Sequence, residues 1–188
     1  MLTLLTTTGA EPVTVAEARL AARFDGTVEL DSFIEGAISA ARREAEQFTG
    51  RLYRPQQFRA ELASWPAADE LIHVYRPTVC AVSYWAGSDF VALDTGAYEY
   101  AAQGPGTLLA PALGSNWPTL ADKAIGPRVR IDLTGGIADP DEVPECVKLY
   151  IKAHVAAWLD TPAAQRVSQQ LNPNPLFACL LDSERLWC

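Results

Sequence analysis

Apolar residues recur at Leu30, Phe33, Ile34, Ala37, Ile38, Ala41, Ala45 and Phe48, separated by polar and charged positions. The steps are mostly threes and fours, which line one face of an α-helix. The spacing predicts a helix over 30–51, roughly 30 Å long. Glu29, Asp31 and Glu35 crowd its start, and Arg42 and Arg43 lie toward its end, both in the sense that suits the helix macrodipole. Gly50 supplies a left-handed stop. Gly36 inside the helix costs about 1 kcal/mol against alanine. Close approach of a neighbouring helix is the expected compensation.

Upstream, residues 1–12 are rich in threonine and end at Pro12, which predicts an extended arm. Thr14 and Glu17 have the spacing of a capping box, so a first helix is expected over 15–23. Downstream of Gly50 the helical period vanishes. Strands are expected at 71–76, at 79–85, and at 90–93 after a Gly87-Ser88-Asp89 turn. Residues 98–101 and 107–110 bracket Gly104-Pro105-Gly106. Val129, Ile131 and Leu133 alternate with Arg128, Arg130 and Asp132, the pattern of a half-buried strand. Helix resumes at Pro144, with Val147, Tyr150, Ile151, His154, Val155 and Trp158 as its apolar stripe. Thr161-Pro162 ends it, a short helix is expected over 163–170, and Asn172-Pro173-Asn174-Pro175 blocks further helix.

The expected fold is therefore α+β: a helical core with an inserted small antiparallel β-domain and an extended C-terminal tail. The expected divisions are 1–50 (arm and first helices), 51–141 (β-rich insert), 142–170 (last helices) and 171–188 (apolar tail).

Composition narrows the function more than the fold. With 188 residues the chain can bury roughly 70% of its unfolded surface without staples. Its formal net charge of −8 is a poor match to gripping a phosphate backbone. Cys80, Cys146, Cys179 and Cys188 have no metal-ligand spacing and read as free thiols of a reducing compartment. No apolar run has the length of a membrane span, and the N-terminus lacks the basic and apolar regions of a secretory signal.

Candidate chemistry is sparse. His73, in an expected strand, and His154, on the buried face of an expected helix, lack HxxxH or HExxH partners, and each is expected as a satisfied core histidine. There is no GxSxG elbow and no phosphate-cradling glycine loop opening a helix. Asp139, Asp141, Glu142 and Glu145 form the best candidate for a cation or for acid–base work, but acids before a helix already have a reason to be there. The aromatics do not interleave with basic residues in sequence, which argues against a stacking platform for nucleic acid. No catalytic residue, cofactor site or metal site is expected.

Three passages together resemble one family. They are EPVTVAEARLAARFD, with its Pro-Val-Thr start; LDSFIEGAISAARREAEQFTGRLY, a long helix ending in Thr49-Gly50-Arg51; and VPECVKLYIKAHVAAWLD, a later helix opening at Val-Pro. YRPTVCAVSYW and SNWPTL add to the likeness. The chain resembles the head–tail connector (head-completion adaptor) proteins of long-tailed bacteriophages and gene transfer agents, over nearly its whole length. The resemblance implies a structural virion protein, not an enzyme, assembled in the bacterial cytoplasm. It implies a ring beneath the portal protein, a dodecamer on the particle, that extends the DNA channel toward the tail. It also implies a downstream tail-completion or stopper partner and no membrane. Double-stranded DNA would pass without specific binding, and an acidic lumen would let it slide.

The tail offers Leu176, Phe177, Leu180, Leu181, Leu186 and Trp187 in a short stretch. Either it folds back on its own core or it is an arm whose apolar anchors dock on the portal. Rival functions are another neck or tail-completion protein of a phage-like particle, a small metal-dependent enzyme with an acidic site near Asp139–Glu145, and a small cytosolic binding module.

Overall fold

The structure is a computed structural model that describes residues 1–23, 30–67, 69–103, 106–160 and 179–186. The chain divides into two units: residues 9–54 with 137–187, and residues 1–8 with 55–136.

The first unit is helical, with α1 (Val15–Ala21), α2 (Asp31–Thr49) and α3 (Glu145–Asp160). The capping box forms as expected: the Glu17 amide donates to Thr14 Oγ1 and the Thr14 amide donates to Glu17 Oε2. Gly50 ends α2 with φ 73°. Ile34, Ala37, Ile38, Ala41 and Ala45 of α2 form one buried cluster with Val147, Tyr150, Ile151 and Val155 of α3, so the two long stripes meet as the periodicity requires.

Two expectations about α2 are corrected. Among the described residues no neighbouring helix approaches Gly36: a Cβ built there meets none of their atoms within 4 Å. Arg42 is not a solvent-facing charge complementing the dipole. It is 1% exposed, and its Nε and Nη1 donate to Glu11 Oε2 at 2.8 Å and Glu46 Oε2 at 2.6 Å. Glu46 Oε1 also accepts from the Tyr53 amide at 2.9 Å, and Arg54 Nη1 reaches Glu11 Oε1 at 2.5 Å. This network ties the chain just before α1 and just after α2 to the middle of α2.

The second unit holds an antiparallel five-stranded sheet, in the order β1 (Leu2–Thr7), β2 (Gln56–Leu62), β7 (Val129–Gly135), β3 (Pro77–Trp85), β4 (Phe90–Ala92). A separate hairpin pairs β5 (Tyr98–Gln103) with β6 (Gly106–Pro111). β7 is the central strand, and Val129, Ile131 and Leu133 are fully buried on one face. On the other face Arg59 pairs with Asp132 and Arg130 with Glu61 across the β2–β7 ladder.

In this unit one sequence expectation is refined, one strand was not foreseen, and one expected strand is absent. The segment read as an extended arm contains an edge strand, so residues 1–8 group with the sheet and not with the helices. β2 was not foreseen, because its face partners Gln57, Arg59 and Glu61 hide a weak Phe58, Ala60, Leu62 alternation. Residues 71–76 form no strand; only Ile72 bridges, to Thr107, and Arg76 takes φ 47° just before Pro77. Gly135 is required where the 71–76 segment crosses the sheet, since a Cβ there would sit 2.5 Å from the Tyr75 carbonyl oxygen.

Candidate functional site

The acidic group is built from helix-start geometry. Asp139 caps a 3₁₀ turn over Pro140–Glu142 by accepting from the Asp141 amide at 2.9 Å. Glu145 opens α3 and pairs with Lys148. Among the described residues no three His, Cys, Asp or Glu side chains gather as metal ligands.

His154 lies on the buried side of α3, 3.6 Å from Glu44, with Tyr150 and Trp158 rings beside it. Burial holds its pKa below the usual value, and Glu44 opposes that shift. His73 is exposed. Burial pushes the Cys80 thiol up to about 12 and the Tyr53 hydroxyl to about 12, so neither ionises near neutrality. These are the marks of structural side chains.

Aromatic and basic groups that are scattered in sequence do meet in space. Lys123 lies over the rings of Trp85 and Phe90 at 4.3 and 4.8 Å, and Arg130 covers Phe90 at 3.9 Å. Trp65 stacks on Trp117 with centroids 4.5 Å apart. The cations occupy ring faces that a stacked base would need, so this cluster is a cation–π brace of the sheet unit.

Of the six tail anchors, Leu176, Phe177 and Trp187 lie outside the described residues. Leu181 is 1% exposed within the helical core, and Leu180 packs against that core. Leu186 donates its amide to the Thr49 carbonyl at 2.8 Å and rests against Gly50, while Glu184 pairs with Arg51. Residues 180–186 are thus held on the C-terminal end of α2, and Leu181 is not a free-standing anchor.

What the described surface does offer is uncovered apolar positions. In the helical unit, Glu11, Val13, Ser32, Glu35, Gly36 and Arg54 border a hollow of about 550 Å³. In the sheet unit the exposed apolar side chains include Leu2, Leu4 and Leu5 on β1 and Val91 on β4 at the lateral edges, besides Leu113 and Ile125 outside the strands. The sequence signal for the first edge was present: Met1–Ala10 contains no charged residue.

The described residues thus provide surfaces and bracing. No family model and no curated protein matches the chain. Solved structures do. A chain from the neck of an empty gene transfer agent (GTA) particle, computed with C6 symmetry, matches with TM-score 0.74 and 20% identity over 100% of this chain and 96% of that one. The fold is that of a GTA neck chain. A chain of the native GTA virion matches with TM-score 0.70, and one from the native GTA neck, computed with C12 symmetry, with TM-score 0.68. Both share 20% identity and the same coverage. At that identity the likeness to the GTA neck chains establishes the fold.

Proposed function

We propose that this chain is a structural neck subunit of a phage-like or GTA-like particle, acting as a head–tail connector. The observation that carries the reading is the end-to-end match with neck chains, over 100% of this chain and 96% of each of those. In this role the subunit mounts on the portal protein as a dodecameric ring and receives a tail-completion or stopper protein below. The C6 and C12 symmetries of the matched necks support a ring. The net charge of −8 supports a channel through which DNA slides without being held.

The test is deletion of the gene in a particle-producing host, followed by imaging. The expected result is filled heads with portals but no tails, restored when the gene is supplied in trans. Tailed particles of normal infectivity or transfer frequency would refute the connector role.

A further inference from the structure

The two lateral edges of the sheet unit are complementary in three independent respects. The first is which backbone groups point outward. Met1 and Glu61 exchange both of their N–H···O bonds at 2.8 Å, so they form a hydrogen-bonded pair of the β1–β2 ladder. Strict alternation then turns the N–H and C=O of Leu2 and Leu4 away from β2. On the far edge, the Leu93 amide donates to Val82 O and the Ala86 amide to Asp89 O, which fixes the same alternation in β4. Phe90 and Ala92 therefore direct their backbone outward. The Phe90 N–H is already taken by Asp89 Oδ1 at 2.7 Å.

The second respect is the side-chain face. The registers Leu2–Ala60–Ile131–Val82 and Leu62–Val129–Tyr84–Val91 put Leu2, Leu4 and Val91 on the apolar face of the sheet. That face is closed at its centre, where Ile131 is 0% exposed, and open at both sides, where Leu2, Leu4 and Val91 are 39%, 47% and 46% exposed. The third is protection. β1 carries no charge and no proline, the usual guards of an edge strand, although a bulge follows Leu4.

We propose that β1 of one copy pairs with β4 of the next, continuing the sheet from subunit to subunit. The inference rests on the ring reading above. Two different surfaces meeting head to tail are what a closing rotation needs. Like-charged copies also approach most cheaply along an uncharged strand.

Strand direction makes the proposal specific. Five antiparallel strands are an odd number, so a rotation that keeps the same sheet face inward sets β1 parallel to the neighbouring β4. In a parallel ladder one residue bonds to the two that flank its opposite number. Ala92 N–H then donates to Leu2 C=O, Leu4 N–H donates to Ala92 C=O, and Leu2 N–H donates to Phe90 C=O. Two outward groups have no place in this scheme: the Phe90 N–H, which Asp89 already satisfies, and the Leu4 C=O, which lies beyond the end of β4 in this register. The same register lays Leu2 beside Val91, covering two of the exposed apolar residues with each other.

The test uses the full chain in assembled necks or rings. Leu2→Cys together with Val91→Cys is expected to give, on mild oxidation, a ladder of covalently joined copies. Each single variant should show only the background from native thiols such as the exposed Cys179. Complete rings that give no ladder would overturn the edge pairing while leaving the ring intact. Covalent dimers from Leu2→Cys alone would show β1 meeting β1, and would also overturn it. Necks without a ring of this chain would overturn both readings. As a second variant, Leu4→Pro removes only an outward N–H. It should keep the thermal midpoint of the monomer and weaken ring incorporation about tenfold, the scale of one lost hydrogen bond. Unchanged incorporation would count against the ladder.

Discussion

Replacing Arg42 with methionine tests the polar network inside the helical unit. The guanidinium side chain is 2% exposed and the Glu46 carboxylate 9%, so neither has water to fall back on. Glu11 is different: it is 21% exposed and keeps Arg54 as a partner. Arg42→Met therefore takes the buried cation away from the Glu46 carboxylate, whose Oε1 still accepts from the Tyr53 amide. Removing one member of a buried pair costs about 3–5 kcal/mol. For a chain of this size that is a fall in Tm of roughly 6–20 °C. The assay is urea denaturation followed by circular dichroism, at low and high salt, since a buried pair is barely screened. Arg42→Met with Glu46→Gln should recover most of the loss, because the amide oxygen can still accept from Tyr53 and no charge is left behind. If Arg42→Met costs under about 1 kcal/mol, or if salt abolishes the effect, the pair behaves as a surface bridge and the reasoning fails.

Other outcomes follow from the same coordinates. Gly36→Ala should stabilise the chain by about 1 kcal/mol, because the added methyl meets open space; a lower urea midpoint would show that the hollow beside it is needed. Ile38→Ala and Ile151→Ala should each cost about 2–5 kcal/mol, and midpoints no lower than that of a surface alanine variant would misassign the α2–α3 core. His154 has its pKa lowered on folding, so the unfolded chain binds the proton more readily. Its contribution is complete above about pH 6.5 and is lost as pH falls below that value. His154→Gln should flatten stability between pH 7 and 5 relative to the parent chain, and an unchanged slope would assign the pH dependence elsewhere.

The helical unit was readable because each of its signals is local. The α2 stripe, the Thr14–Glu17 box and the Gly50 stop all act within a few turns. The sheet was only half readable. β7 announces itself by strict alternation, whereas β1 and β2 become strands through partners far along the chain, Met1 finding Glu61 sixty positions away. Leu71–Arg76 shows the converse. Its alternation is real, but a positive φ at Arg76 and a single bridge at Ile72 leave it a covering segment. The role of Arg42 was hidden for the same reason: only Glu11, thirty-one positions earlier, reveals it as a buried clamp. An exposed sheet edge has no local signature beyond missing charge, which is why the β1 edge emerged only with the register in hand.

The position of β7 at the centre of the sheet has a consequence for synthesis. β2 and β3 do not pair with each other; each pairs with β7, among the described residues the last strand to leave the ribosome. Until Gly135 has emerged, β1–β2 and β3–β4 exist only as separate two-stranded ribbons, which are marginal in water. The helical unit waits as well, since α2 has no α3 to cover it until residues 145–160 follow. A nascent or prematurely ended chain thus displays both apolar faces at once, and a long β1 edge beside them. In the cell such a product is prone to aggregation or degradation, so a truncated chain would not accumulate as a stable half-domain.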